Sequence, residues 1–285
     1  MVTRAPYANQ HVYLTTKHAK SRAIGPVFAE RLGADVREYR FDTDTLGTFS
    51  REIERTGTAL DAARRKVQQA FIDLDAELAL ASEGSFGPHP AAGFMPADRE
   101  LLYFVDRPRD FTLTESLTTT ETNYRMAEVA TLQELSGFAQ AAGFPSHGLI
   151  LATRQQGAPQ RMIKGIQNKA TLVREFVALQ QDCAERRVWV ETDMRASCNP
   201  TRMSTIAKLA RTLAQRLDTP CPACGLPGWG RVAVIEGLPC AWCGSPTRLP
   251  RAIIHGCVKC DHRACGDRPD GLKTADPAHC PACNP

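Results

Sequence analysis

Eight cysteines in the last quarter of the sequence have the spacing of metal ligands. They form four Cys-x2-Cys pairs: Cys221 with Cys224, Cys240 with Cys243, Cys257 with Cys260, and Cys280 with Cys283. One such turn places two sulfurs about one tetrahedral edge apart, and a second turn completes a zinc site. The pattern therefore predicts two structural Zn²⁺ ions, each bound by four thiolates.

The spacing also indicates how the pairs combine. Fifteen residues separate the first two pairs and nineteen separate the last two, which favours two consecutive zinc ribbons in residues 219–285. An interleaved cross-brace is the alternative. Cys265 has no Cys-x2-Cys mate and is expected to be free. His255, His262 and His279 flank the second quartet and are expected at the surface or behind its ligands, because four cysteines already fill that site.

The charge of this segment bears on its partners. From Thr219 onward, seven Lys/Arg and five Asp/Glu give a formal charge of +2. Each zinc bound by four thiolates adds about −2, so the loaded module carries roughly −2. A surface that follows phosphates should be basic, which disfavours nucleic acid and favours a structural or protein-binding role.

The composition fits a globular protein. The chain has 285 residues, with 43% hydrophobic and 23% charged residues and a net charge of +4. The first ten residues do not resemble a signal peptide, and no apolar run has the length of a membrane helix. A cytoplasmic location is expected, where cysteines stay reduced and bind metals rather than form disulfides.

Residues 8–217 show alternating strand and helix patterns. Predicted strands cover 11–15, 77–81, 101–105, 147–153 and 188–190; predicted helices cover 17–32, 58–74, 131–142, 168–185 and a stretch beginning at Asn199 and Pro200. Cys183 falls on the apolar stripe of one predicted helix and is expected in the core. The alternation predicts an α/β domain, a mixed sheet with flanking helices.

Two polar segments in the first part have residues that suit phosphate and metal binding. Thr16, Lys17 and Lys20 lie where a strand gives way to a helix, whose first amides attract anions. Asp42 and Asp44 share one face of an extended segment that also leads to Glu52, and paired carboxylates suit Mg²⁺. A solvated helix cap and an ordinary turn are the alternatives.

Two later segments also have candidate ligand contacts. The first is ASEGSFGPHP (81–90), which follows a strand and is expected to be a rigid loop containing Glu83, Ser85 and His89. The second is ETDMRASCNPTR (191–202), with Asp193, Arg195 and Arg202 near a helix start, where arginines need an anion or nearby carboxylates. An internal Arg–Asp network is the alternative there, and Cys198 has no adjacent base that would make it a nucleophile.

These segments together resemble a bacterial family of uncharacterised proteins. The shared strings are TKH (16–18), DTDTLGTFS (42–50), ASEGSFGPHP (81–90), ETDMRA (191–196) and NPTRM (199–203), followed by the cysteine quartets. The resemblance spans nearly the whole chain and implies no particular activity.

A more remote resemblance is to the inosine triphosphate pyrophosphatase and Maf-type fold, whose members hydrolyse nucleoside triphosphates with Mg²⁺. It rests on Thr-x-x-x-Lys at a helix start, a Gly-Thr-Phe loop, Ala-x-x-x-Lys in the next helix and an acidic Gly-Ser segment after a strand. By position it implies that Thr16, Lys17, Lys20 and Lys66 contact the triphosphate, that Glu83 binds the metal, and that Lys164 lies on a later strand. The usual Asn of the first loop is absent, and Ser82-Glu83 retains one carboxylate of an acidic pair.

The resulting hypothesis is an Mg²⁺-dependent nucleotide pyrophosphatase. Glu83 would be the main metal ligand, with Glu52 or Asp193 as second ligand or base, and Ser85, His89, Arg195 and Arg202 as further contacts. The alternative is a non-catalytic sensor of a phosphorylated ligand, whose zinc ribbons dock a protein partner.

Overall fold

The computed structural model describes residues 5–40, 57–155, 158–182 and 186–284. Within them the strands are β1 (His11–Thr15), β2 (Asp35–Tyr39), β3 (Leu78–Pro88), β4 (Pro96–Asp106), β5 (Phe111–Thr119), β6 (Met126–Val129), β7 (Leu149–Gln155), β8 (Ala158–Ile166), β9 (Val188–Thr192), β10 (Gly230–Glu236), β11 (Pro250–Gly256) and β12 (Arg263–Asp267). The helices are α1 (Ser21–Leu32), α2 (Ala59–Asp73), α3 (Leu132–Ala142), α4 (Lys169–Asp182) and α5 (Pro200–Asp218).

The first sheet is mixed and has helices on both faces. Its order is β2-β1-β3-β4-β5; β1 runs parallel to β2 and β3, and the pairs β3–β4 and β4–β5 are antiparallel. Alternate residues of β3 point to opposite faces. Leu78 and Leu80 pack with α1 and α5, whereas Ala79 and Ala81 pack with α2. The carboxyl end of β1 and the adjoining part of β3 therefore lie between two helical layers.

A second sheet, with the order β6-β9-β7-β8, is wholly antiparallel. Leu149 and Leu151 of β7 and Val188 and Val190 of β9 share a core with α3 and with Phe176 of α4. This core is separate from that of the first sheet. The chain then passes through a short 3₁₀ turn, Ala196–Cys198, and returns to the first sheet as α5.

A small third sheet, β10-β11-β12, carries the cysteine segment. It is joined to the first sheet by one ion pair and through α5. Lys259 lies 2.5 Å from Asp110, and Arg216 of α5, which lies 2.7 Å from Glu115 of β5, also donates to the carbonyl of Gly228. Val258 packs against the core between α1, α5 and the first sheet.

Most predicted elements of the first 217 residues are present, with two corrections. The predicted helix at 17–32 begins at Ser21, four residues late, because Ala19 adopts a left-handed backbone conformation with φ of 53°. The predicted loop at 81–90 is wrong over most of its length. β3 continues to Pro88, because every residue from Leu78 onward pairs with β4, and the turn covers only 89–95.

Other predictions fall differently. The Thr58 cap of α2 and the Asn199-Pro200 start of α5 are confirmed. Cys183, Asp42, Asp44 and Glu52 lie outside the described residues. Among the described helices, none combines the length and the apolar character needed to cross a lipid bilayer.

Asn199 gives the first testable prediction. Its buried side chain accepts a hydrogen bond from the amide of Arg202 and donates one to the Asn123 side chain, so Asn199→Ala removes the α5 cap and leaves Asn123 short of a partner. We expect a loss of about 2 kcal/mol in the free energy of unfolding, measured by urea denaturation. The control is Thr58→Ala at the exposed cap of α2, where we expect about 1 kcal/mol. A loss for Asn199→Ala no larger than the control would contradict this role.

Candidate functional site

The eight cysteines of the four pairs form two compact quartets. One consists of Cys221, Cys224, Cys257 and Cys260, and the other of Cys240, Cys243, Cys280 and Cys283. In each quartet all four sulfurs lie within 4.8 Å of one another, and the closest contacts are 3.6–3.9 Å. Zinc–sulfur bonds of about 2.3 Å in a tetrahedron require sulfurs about 3.8 Å apart. Each quartet can therefore hold one zinc ion without rearrangement.

The pairing of the quartets corrects the expectation of two consecutive ribbons. The first Cys-x2-Cys pair joins the third, and the second joins the fourth, which is the interleaved alternative. Strand register explains this. Gly230 of β10 pairs with Gly256 of β11, which brings the turn at Cys221 to the turn at Cys257. A bridge between Cys240 and Ala275 likewise brings the second pair to the fourth.

Backbone and hydroxyl groups around the quartets favour thiolates. The amides of Lys259 and Cys260 donate hydrogen bonds to the Cys257 sulfur, and the amide of Trp242 donates to the Cys240 sulfur. Hydrogen bonds from the side chain and backbone of Ser245 lower the pKa of the Cys243 thiol to about 6. Such donors stabilise the charged sulfur that a metal requires.

The remaining cysteine and histidines of this segment lie outside both quartets. Cys265 is exposed on β12. His255 and His262 stack on Trp229, with ring centroids 6.3 and 5.2 Å away. His279 lies in the 3₁₀ turn before Cys280.

A second candidate site is a cluster of buried charges on the first sheet. On the α2 face, the Lys66 amine lies 2.5 Å from a carboxylate oxygen of Glu83, and both side chains are largely buried. The Thr15 hydroxyl donates to the carbonyl oxygen of Lys66 and so ties α2 to the end of β1. The structure thus brings together Lys66 and Glu83, two residues that the sequence placed in one site.

On the opposite face of the same strands lie Lys20, Glu100 and Arg202. The Lys20 amine donates to the carbonyl and the hydroxyl of Ser82, at 2.8 and 3.1 Å. The Arg202 guanidinium lies 2.5 Å from Glu100, and neither side chain is exposed to solvent. A second guanidinium nitrogen donates to the carbonyl of Met194, where the chain leaves the second sheet.

Glycine at position 84 makes room for this ion pair. Gly84 stands opposite Glu100 in the β3–β4 register. A side-chain carbon there would lie 2.4 Å from an Arg202 nitrogen and 2.5 Å from a Glu100 oxygen. The glycine is therefore required by packing and not by its backbone conformation.

Burial shifts two pKa values in this cluster toward neutrality. Desolvation, together with the nearby Arg202, lowers the pKa of the Lys20 amine to about 7. Desolvation and the charge of Glu100 raise the pKa of the Asp98 carboxyl to about 7. Asp98 is 1% exposed and lies two residues before Glu100 on β4. Clusters of shifted, buried groups are typical of functional sites, although structural ion pairs also produce them.

The structure places the other phosphate-binding candidates of the first part around this cluster or at the surface. Thr16 is buried directly after β1, and its hydroxyl accepts from the amide of His18. Lys17 is exposed and Ser85 is half-buried on β3. His89 lies in the turn after β3, where its ring accepts from the amide of Ala91.

The candidates from the segment 191–202 have partners inside the protein. Arg195 forms a close pair with the fully buried Asp193, whose carboxylate also accepts the amide of Gly165. Lys164 precedes that glycine on β8. Burial raises the pKa of the Cys198 thiol, consistent with a residue that is not a nucleophile.

Sequence reasoning missed Asp98, Glu100 and His147. The two acids share the strand face that carries Leu102 and Phe104. Acidic residues alternating on the same face as buried apolar residues were the sequence pattern that could have identified them. The Nε2 atom of His147 lies 2.9 Å from the Thr201 hydroxyl in the first turn of α5. No local pattern predicts this contact between residues 54 positions apart.

Comparison with known proteins gives one match. A family model described as a domain of unknown function, DUF6671, matches residues 66–285. The chain belongs to this family. The match includes both cysteine quartets of the DUF6671 protein and Lys66, Glu83, Glu100 and Arg202 of its ionic cluster. No curated protein and no solved structure matches the chain.

The interleaved pairing can be tested with two double variants. Cys224→Ser/Cys260→Ser alters one centre only, so we expect purified protein to retain one zinc ion per chain by elemental analysis. Cys224→Ser/Cys243→Ser alters both centres and should leave none. Consecutive ribbons would give the opposite pattern, and fewer than two zinc ions in the unaltered protein would exclude two zinc centres.

Gly84→Ala tests the packing of the ionic cluster. The added carbon displaces the Arg202–Glu100 pair, so we expect about 2–4 kcal/mol less stability in urea denaturation. Gly87→Ala, on the same strand and with no atom within 4 Å of the new carbon, is the matched control and should change stability by less than about 0.5 kcal/mol. Equal effects of the two substitutions would show that the close approach at Gly84 is unimportant.

Proposed function

We propose that this DUF6671 protein is an Mg²⁺-dependent nucleotide pyrophosphohydrolase stabilised by two structural zinc ions. The observation that carries the proposal is that Lys66–Glu83 and Lys20–Ser82 flank the carboxyl end of β1 beside the middle of the parallel strand β3, one pair on each face of the sheet. Ligands of open α/β sheets bind outside the carboxyl ends of the strands.

The residue types suit a polyphosphate. Lys20 and Lys66 reach the strand ends from two different helical segments and supply positive charge for phosphate oxygens. Glu83 follows both lysines in the chain, pairs with Lys66, and supplies a carboxylate of the kind that Mg²⁺ prefers. A bound Mg²⁺ would supply Lewis-acid polarisation of the phosphate and activation of water.

In this proposal the protein groups exchange partners on binding. A phosphate oxygen would replace Glu83 as the partner of Lys66, and the freed carboxylate would then be able to hold Mg²⁺. Asp193 keeps Arg195 in place, because its oxygens already accept from Arg195 and Gly165. The lysines then neutralise charge that develops on the phosphates in the transition state.

The cysteine centres have a structural role in the proposal. Four thiolates complete the tetrahedral coordination of zinc, which leaves no open position for water or substrate. Structural zinc sites of this type contribute directly to folding. The zinc module therefore acts as a folded unit, and the phosphate chemistry lies in the first sheet.

A non-catalytic sensor of a phosphorylated ligand is the second candidate. It is favoured by the internal pairing of the charged groups, since Lys20, Lys66 and Arg202 each bond to groups of the protein itself. A ligand that only displaces these partners could change the shape of the site without reacting. The exposed zinc module would then dock a protein partner.

The test is release of pyrophosphate and phosphate from a panel of normal and modified nucleotides, with and without Mg²⁺. We expect release from at least one nucleotide, dependent on Mg²⁺ and reduced at least about hundredfold in Glu83→Gln, because one metal ligand carries several kcal/mol of transition-state stabilisation.

Glu77→Gln is the matched control, an exposed glutamate just before the same strand. It should keep full turnover. Nucleotide binding without release in the zinc-loaded protein would favour the sensor. If the protein neither binds nor hydrolyses any nucleotide of the panel, both candidate functions are excluded.

A further inference from the structure

We propose that Asp98 and Glu100 of β4 form a binding site for a hard divalent cation. The proposal deepens the proposed function by naming a carboxylate pair that would hold its metal, and it rests on that function for the role of the ion. Binding of the ion itself is inferred from the two side chains and their surroundings.

The geometry of the pair is set by β4. Residues two apart on a strand project to the same face, so the two carboxylates lie side by side. Each side chain is 1% exposed. Within the described part of the chain, Oδ1 of Asp98 and Oε2 of Glu100 are buried and have no hydrogen-bond partner.

Buried acceptors without donors are costly, and native proteins rarely keep them empty. Both atoms here are acceptors on neighbouring acidic groups, so the missing partner is either a proton shared by the two carboxyls or a cation. Two adjacent oxygens of this kind can share one such occupant.

The local charges favour a cation as that occupant. Arg202, one of the neighbouring cations, already pairs with the other oxygen of Glu100, Oε1. The Lys20 amine donates to Ser82. With both acids ionised, two carboxylates would face one paired guanidinium, so either a proton held between them or a bound cation must balance the second charge.

The ligand type and the position select a hard ion such as Mg²⁺ or Mn²⁺. These ions bind carboxylate oxygens, and Mg²⁺ is commonly held by one or two carboxylates with water and substrate phosphates in the other positions. Phe86 and Thr119, the register partners of Asp98 on the flanking strands, are half-buried. The pair itself is buried, so water or phosphate can complete the coordination only when these half-buried neighbours move aside.

Gly84 supports this assignment from the neighbouring strand. Glu100 lies over Gly84 on the sheet face that carries Ser82, whereas Glu83, the acidic residue retained from an expected pair, projects to the opposite face. The additional carboxylates come from β4 and not from the segment after β3.

The experiment measures Mn²⁺ binding to the zinc-loaded full chain without nucleotide, using electron paramagnetic resonance to distinguish free from bound Mn²⁺. Mn²⁺ prefers oxygen ligands and ranks below zinc in affinity, so the thiolate centres keep their zinc. We expect the unaltered chain to bind one Mn²⁺ and the Mn²⁺ affinity to fall at least about tenfold in Asp98→Asn. Even the loss of a residue that only hydrogen-bonds to a metal ligand typically lowers metal affinity by about tenfold or more.

Asp98→Asn preserves shape and is expected to fold, which a melting curve verifies. Glu100→Gln is the second variant, and Asp75→Asn, an exposed acid outside the cluster, is the control that should bind as the unaltered chain does. No Mn²⁺ binding, or binding that neither variant weakens, overturns the site and points to a proton shared by the two carboxyls or to buried water. Nucleotide hydrolysis without such binding overturns this inference alone, whereas Mn²⁺ binding without hydrolysis by any nucleotide retains it and removes the hydrolase.

Discussion

The buried pair of Arg202 and Glu100 is the interaction on which the arrangement of the first two sheets depends. Arg202 lies in the first turn of α5. Its guanidinium bonds both to Glu100 on β4 of the first sheet and to the carbonyl of Met194, just after the second sheet. A buried charge is tolerated only with its partner in place, so these three parts can assemble in one relative position. The close approach at Gly84 follows from that guanidinium, which also adds to the effect of burial in lowering the pKa of Lys20.

The sequence allowed the metal ligands to be predicted but not their pairing. The geometry of a Cys-x2-Cys turn depends only on residues close in sequence, and all eight predicted cysteines lie in the two quartets as expected. Which turns meet depends on the antiparallel register of β10 and β11, which joins residues 26 positions apart, Gly230 and Gly256. Local spacing carries no information on that register, and consecutive ribbons have an equally good spacing.

The first part shows the same division between local and distant determinants. Thr58 and Asn199 mark helix starts through contacts within one turn, and both were predicted. The extent of β3 was not, because glycine and serine at 82–87 have low strand propensity by themselves and become strand by pairing with β4. Lys66 and Glu83 were grouped through a remote family resemblance, whereas Asp98 and Glu100 lie just before the predicted strand 101–105, in a segment to which no element or role was assigned.

The interleaving of the two quartets has a consequence for how the module assembles. The closures from Cys224 to Cys257 and from Cys243 to Cys280 span 33 and 37 residues, and the two loops overlap. The entropy lost on closing a flexible loop rises only slowly with its length, so these long closures cost little more than short ones. Once one loop is closed, however, the ligands of the other are already confined to a smaller volume. The first zinc ion therefore prepares the site of the second, and chains that carry a single ion should be scarce during metal uptake.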